Sequence, residues 1–122
     1  ALESGYERVL RRLANTGARI VALKDLPKAP HDMTDCVAEN MQHLERCAFD
    51  EDGAGPNHFD VRAARAVDGV ESIDLSPAIC SQGTCYGVIR DALVYRDNDH
   101  MTWTFARTLA PWLERALERQ SN

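Results

Sequence analysis

The sequence predicts an α/β fold in which a mostly parallel sheet lies between two layers of helices. An amphipathic helical segment at residues 3–15 leads into a nearly unbroken apolar run at residues 18–23, which is typical of a parallel strand covered by helices on both faces. A second strand-like run follows at residues 70–75, and a long amphipathic helix begins near residue 102. We therefore expect a three-layer arrangement, and the length of 122 residues fits a single domain.

The first helix is predicted from an apolar stripe and is expected to end at Gly17. The stripe consists of Tyr6, Val9, Leu10 and Leu13. The strand that follows should stop before Pro27 and Pro30, because proline fixes φ and lacks a backbone N–H.

The next helix is predicted at residues 35–44, with Asp32 or Thr34 as its N-cap. Its inward side chains are expected to be Cys36, Val37 and Met41. Residues 48–57 combine acidic residues with two glycines and a proline, a composition that predicts an exposed loop.

A further helix is predicted at residues 60–67, just before the strand at residues 70–75. The chain then enters a loop at residues 80–85, followed by two short strands at residues 86–89 and 92–95 that form a small hairpin.

The last helix is expected to begin after Thr102, whose hydroxyl can accept a hydrogen bond from a backbone N–H of the first turn. Its apolar stripe comprises Phe105, Leu109, Trp112, Leu113, Ala116 and Leu117. Pro111 falls inside this helix and should kink it, because it removes one backbone hydrogen bond.

Composition excludes several classes of function. The formal net charge of −5 argues against nucleic acid as a partner, since binding to phosphates requires clustered Lys and Arg. No apolar run approaches the ~20 residues that span a bilayer. The first residues lack the build of a signal peptide, so we expect any export signal or anchor to lie outside this chain.

The four cysteines form two pairs of near neighbours in the sequence. They are Cys36, Cys47, Cys80 and Cys85. This spacing favours two short-loop disulfides and hence an oxidising compartment, although three connectivities remain possible. The alternatives are reduced thiols in the core or on the surface, or a zinc site, although neither pair has the tight spacing of a zinc knuckle.

The candidate site is the polar loop at residues 95–102, which follows a strand and precedes a helix. A carboxylate three residues before an imidazole can accept a hydrogen bond from Nδ1 and leave Nε2 free to take a proton. In this interpretation Asp97 orients His100, which acts as the base. The alternatives are a solvated cap before the helix, or a metal site formed by Asp97, Asn98 and Asp99.

The tail of the chain resembles the end of the SGNH (GDSL-type) hydrolase fold, and in particular the extracytoplasmic SGNH domain fused to membrane acyltransferase-3 proteins. The resemblance rests on the motifs CSQGTCY at residues 80–86 and YRDNDHMT at residues 95–102. Residues 21–27, and residues 36–38 together with Cys47, also resemble the middle of those domains. The resemblance implies a three-layer, flavodoxin-like fold, of which this chain would supply the C-terminal part.

The resemblance also implies roles for individual residues. Asp97 and His100 match the family's catalytic Asp-x-x-His, with Met101 where the family often has leucine. The family's Gly-Asp-Ser nucleophile motif and its oxyanion-hole glycine and asparagine lie upstream of the part that this chain resembles, and the sequence contains no Gly-Asp-Ser. None of its serines is therefore assigned as the nucleophile: Ser4, Ser72, Ser76, Ser81 and Ser121. We expect the chain alone to be inactive.

The implied activity is serine-dependent acyl transfer, namely O-acylation and commonly O-acetylation of a cell-surface glycan, without a cofactor. The implied partners are an acyl donor, a hydroxyl acceptor, the upstream part of the domain and an integral-membrane acyltransferase domain, on the extracytoplasmic side. A free secreted esterase acting on carbohydrate or lipid is one alternative, because both enzymes use the same acyl-enzyme. A non-catalytic binding fragment is another.

Three further residues have two interpretations each: His31, Trp103 and Trp112. His31 could line the same cleft but is expected to be an exposed loop histidine, and His43 and His58 are expected on the surface. Trp103 and Trp112 could border an acyl or glycan pocket, although packing of the helix face into the core is the preferred interpretation.

Overall fold

The structure is a computed structural model that describes residues 1–52 and 58–120. The helices are α1 (Leu2–Ala14), α2 (Met33–Glu39), α3 (Phe59–Arg65), α4 (Trp103–Thr108) and α5 (Ala110–Gln120). The strands are β1 (Ile20–Leu23), β2 (Phe49–Asp50), β3 (Val70–Ile73), β4 (Cys80–Ser81), β5 (Thr84–Cys85), β6 (Val88–Ile89) and β7 (Ala92–Leu93). Short 3₁₀ turns occupy Leu44–Cys47 and Ser76–Ala78.

The chain divides into two compact units. The first unit contains the described residues within 1–25, 57–74 and 116–122, and the second contains those within 26–56 and 75–115. Each unit has its own cluster of buried apolar side chains. That the whole chain belongs to one domain stays a prediction.

The first unit is built on a parallel pair of strands. Ile20 of β1 lies opposite Val70 of β3, and Leu23 lies opposite Ile73. Its buried cluster is Leu10, Ala22, Ala63, Ala64 and Val67, contributed mainly by α1, β1 and α3. The helix and strand predicted at the start of the chain are confirmed, but β1 is less enclosed than expected, since Leu23 is 48% exposed.

The second unit contains only antiparallel pairs among its described residues: the sheet β2-β5-β4 and the hairpin β6-β7. Two-residue turns close both hairpins, with positive φ at Gln82, Gly83, Arg90 and Asp91. Connections this short allow only antiparallel pairing. The α/β class is supported, since the chain contains both helices and strands. The expected mostly parallel sheet is wrong for the described residues, where the sheets are small and only the pair β1–β3 is parallel.

The buried cluster of the second unit is held by apolar packing and by two disulfides. Its fully buried side chains include Met33, Ile79, Val94 and Tyr95. Cys36 is bonded to Cys47 and Cys80 to Cys85, so each cysteine pairs with its neighbour in sequence. Because all four sulfurs are in disulfides, they offer no thiolate to a zinc ion.

The middle of the chain departs from the sequence prediction in three places. Helix α2 starts earlier and is shorter than predicted, and Asp32 caps it by accepting a hydrogen bond from the Asp35 N–H at 3.0 Å. Met41 lies beyond its end and is 64% exposed rather than turned inward. Phe49 and Asp50 form strand β2 where a loop was predicted, and residues 53–57 of that loop lie outside the described residues.

The predicted last helix is interrupted rather than kinked. Thr102 caps α4 as expected, because its Oγ1 accepts a hydrogen bond from the Phe105 N–H at 3.1 Å. The helix breaks at Leu109, and Pro111 occupies the second position of α5. Because N–H groups in the first turn of a helix have no intrahelical acceptor, the missing N–H of Pro111 costs no hydrogen bond there. The predicted apolar stripe is buried at Phe105, Leu109 and Ala116.

Candidate functional site

Asp97 and His100 lie in a closed loop of the second unit between β7 and α4. Tyr95 and Met101 form an isolated antiparallel bridge at its base. The Arg96 N–H donates to the His100 carbonyl at 2.9 Å, and the Thr102 N–H donates to the Val94 carbonyl at 2.9 Å. These bonds fold the loop back on itself, so that the two predicted site residues face each other.

The Asp97 carboxylate is held on both of its oxygens. Oδ1 accepts hydrogen bonds from the backbone N–H of Asp99 at 2.9 Å and of His100 at 2.7 Å. Oδ2 lies 2.8 Å from His100 Nδ1. The turn thus fixes the carboxylate, and the carboxylate in turn fixes the rotation of the imidazole ring.

The electrostatics of the loop keep Asp97 ionised. The backbone N–H groups of Asp99 and His100 lower the pKa of the Asp97 carboxyl well below its ordinary range, and the His100 ring adds to the effect. Asp99 Oδ1 lies 3.0 Å from the same Nδ1. With carboxylate oxygens facing Nδ1, a neutral imidazole carries its proton there and presents Nε2 as a lone-pair acceptor.

The other side of the His100 ring is open. The side chain is 62% exposed. Across residues 1–52 and 58–120, no hydrogen bond or ion pair involves Nε2, and no serine hydroxyl bonds to His100. The geometry can therefore accept a proton at Nε2 from a group that approaches from solvent.

The segment at residues 29–34, which includes the start of α2, braces this loop. The Ala29 N–H donates to the Asn98 carbonyl at 2.8 Å, and the Met33 N–H donates to the Asp97 carbonyl at 3.1 Å. The hydroxyl of Thr34 donates to the Arg96 carbonyl at 2.8 Å. These partners lie more than sixty residues apart in the chain, so no local pattern could indicate them.

The loop also has the donor atoms of a possible metal site. Single ligand atoms of Asp97, Asp99 and His100 lie within 4.8 Å of one another. However, Asp97 Oδ1 already accepts two backbone hydrogen bonds, and Lys28 Nζ lies 3.8 Å from Asp99 Oδ2. Both features compete with a cation, so the arrangement fits an oriented imidazole better than a metal centre.

The remaining predicted residues are spread over the surface. His31 is exposed and lines a shallow cavity beside the acidic face of α2, without a hydrogen bond to His100 in the described part of the chain. His43 is exposed and lies 3.1 Å from Glu45, whereas His58 lines a cavity of the first unit. Trp103 is 78% exposed and Trp112 is 39% exposed, so the expectation that they pack into the core is wrong.

A family model described as "SGNH domain (fused to AT3 domains)" matches residues 1–115. The chain therefore belongs to the family of SGNH domains that are fused to acyltransferase-3 domains. No curated protein and no solved structure gives a significant match.

Membership of this family implies esterase- or acyltransferase-type chemistry, and it associates the chain with a membrane acyltransferase domain. Among the described helices, none is long and apolar enough to cross a membrane. The two disulfides fit an oxidising, extracytoplasmic setting.

Proposed function

We propose that this chain supplies the acid–base pair of a serine-dependent acyltransferase that O-acylates, and commonly O-acetylates, a cell-surface glycan. His100 is the general base and acid, and Asp97 orients it. The domain acts on the extracytoplasmic side, together with the membrane acyltransferase domain to which members of this family are fused. The fusion supports transfer to an acceptor over simple hydrolysis.

The observation that carries the proposal is that both oxygens of the Asp97 carboxylate are held by hydrogen bonds. One oxygen is fixed by two backbone N–H groups, and the other meets His100 Nδ1 at 2.8 Å. An ordinary solvated cap requires neither an imidazole partner nor a free Nε2. A triad requires both, because the carboxylate sets the tautomer and stabilises the imidazolium that forms during the reaction.

In the proposed reaction, His100 Nε2 takes the proton of a serine hydroxyl as its oxygen attacks the acyl carbonyl. The imidazolium then returns the proton to the leaving group, and the same base activates the acceptor hydroxyl in the second half-reaction. Asp97 stays ionised throughout and stabilises the imidazolium. The serine and the oxyanion donors belong to the upstream part of the domain, as the family resemblance implies.

The test is replacement of His100 by alanine in the complete gene product that contains this chain. Loss of the base should lower the rate of acyl transfer by roughly 10²–10⁴-fold without reducing the amount of folded protein. Mass spectrometry of the acyl-enzyme and transfer of a labelled acetyl group to the glycan are the two measurements. His43→Ala is the matched control, since this histidine is exposed and also lies next to a carboxylate.

The carboxylates provide a second, internal comparison. Asp97→Asn keeps the shape but removes the charge facing Nδ1 and should lower the rate by a factor of about 10²–10⁴. Asp99→Asn should have a much smaller effect, because only Asp97 has its second oxygen fixed by the loop backbone. Activity of His100→Ala close to that of the wild type would refute the proposal.

A further inference from the structure

The first unit contains a cavity of about 520 Å³ in which basic side chains predominate. Its polar lining comprises Lys24, His58, Arg62, Arg65, Ser72 and Asp74. Three side chains that are positively charged at neutral pH thus accompany a single carboxylate, in a chain whose formal net charge is −5. A concave surface with such a local excess of positive charge attracts anions.

The cavity lies at the carboxyl end of the parallel strands. Lys24 directly follows β1, and Asp74 directly follows β3. In open α/β sheets, ligands bind in the crevice outside the carboxyl ends of the strands. The volume also falls in the range of roughly 300–1,000 Å³ that is usual for small-molecule sites. Position and size are therefore both those of a binding site.

Two of the cations are held in place by carboxylates. Lys24 Nζ lies 3.1 Å from Asp74 Oδ2, and only 17% of its side chain is exposed. Arg62 donates to Glu3 Oε2 from Nε at 3.1 Å and from a terminal nitrogen at 2.8 Å. These pairs orient the two side chains and offset part of their charge.

Arg65 differs from them. It lies three residues after Arg62 on α3, at the spacing that places two side chains on the same helical face. In the described ranges it has no ion pair and no side-chain hydrogen bond. A guanidinium without a carboxylate partner, at the wall of a cavity, has its donors available for a ligand oxyanion.

We propose that this cavity binds the anionic group of a sugar-sized ligand, a carboxylate or a phosphate, with Arg65 as its main contact and Lys24 as the second positive charge. The proposal does not depend on acyl transfer by His100, because every lining residue belongs to the first unit. It adds a recognition site for an acidic ligand to the chain.

The test is a titration of the ¹⁵N-labelled full chain, followed by amide and arginine Nε shifts at low ionic strength. The probes are inorganic phosphate, glucuronate and uncharged glucose. At least one of the two anions should shift resonances of the cavity residues saturably, whereas glucose should not. Arg65→Gln should weaken anion binding by about tenfold or more, the loss expected for a charge-assisted hydrogen bond.

Arg12→Gln is the matched control, because Arg12 is an exposed arginine of α1 that does not line the cavity. Its affinity should equal that of the wild type. Saturable binding of glucuronate alone would support an acidic sugar, binding of phosphate alone would support a phosphorylated ligand, and binding of both would support a site that recognises charge. Absence of saturable binding for both anions, or equal affinity in Arg65→Gln, would overturn the proposal.

Discussion

Thr102 joins the site loop to the helix that follows, and its replacement by alanine should destabilise the chain by about 2 kcal/mol. The hydroxyl makes two hydrogen bonds: it accepts one from the Phe105 N–H at 3.1 Å and donates one to the Leu93 carbonyl. Loss of an N-cap costs about 1 kcal/mol, and loss of a hydrogen bond to a backbone carbonyl costs about 1 kcal/mol more. Both bonds are lost together because they share one oxygen.

The assay is guanidinium denaturation of the oxidised chain at neutral pH, with the free energy of unfolding taken from the midpoint and slope. Thr102→Ser is the control, since serine keeps the hydroxyl and caps helices as well as threonine does. It should stay within about 1 kcal/mol of the wild type. If Thr102→Ala lost less than about 0.5 kcal/mol, as a neutral surface substitution would, the two hydrogen bonds would not contribute as argued.

Two further predictions concern the packing and the charge of the second unit. In Gly87→Ala, the new Cβ would overlap the Sδ atom of the fully buried Met33. We therefore expect the free energy of unfolding to fall by about 1–3 kcal/mol. In a double-mutant cycle, the same substitution should cost less in the Met33→Ala background, where the overlapping side chain is gone. Asp97 has a lowered pKa in the folded chain, so its ionised carboxylate stabilises the fold at pH values above its unfolded-state pKa of about 3.9. This stabilisation is lost as the pH falls towards the pKa of the folded state. Asp97→Asn should therefore flatten the dependence of stability on pH below about pH 4, measured by denaturation from pH 2 to 6, and an unchanged slope would contradict this origin of the shift.

Local patterns predicted the elements whose determinants are close in sequence. The apolar stripe of α1, the hydroxyl cap at Thr102 and the hairpin at residues 88–93 each depend on residues within one or two turns. The cysteines joined as neighbours in sequence, which is one of the three arrangements that the sequence left open. The Asp97 to His100 contact was predictable for the same reason, because three residues suffice to close it.

Elements that depend on distant partners were not predictable, and neither was the hairpin β4–β5. The hairpin β4–β5 is closed by Gln82 and Gly83, both at positive φ, and glutamine is not a residue that signals this turn. Strand β2 exists because Phe49 pairs with Cys85, far along the chain. The exposure of Trp103 was missed because helical spacing predicts which residues share a face and does not by itself show what covers that face.

The long-range contacts explain how an exposed histidine can still be well oriented. A side chain that is 62% exposed would ordinarily sample several rotamers in water. Here the buried Tyr95 donates a hydrogen bond to the Pro27 carbonyl, at the start of the segment that also bonds to Arg96, Asp97 and Asn98. The backbone of the loop is thus fixed from outside, the backbone N–H groups fix Asp97, and Asp97 fixes the imidazole. In its proposed role as the acid–base group, His100 would therefore lose little entropy when a nucleophile arrives, which is the condition that efficient proton transfer requires.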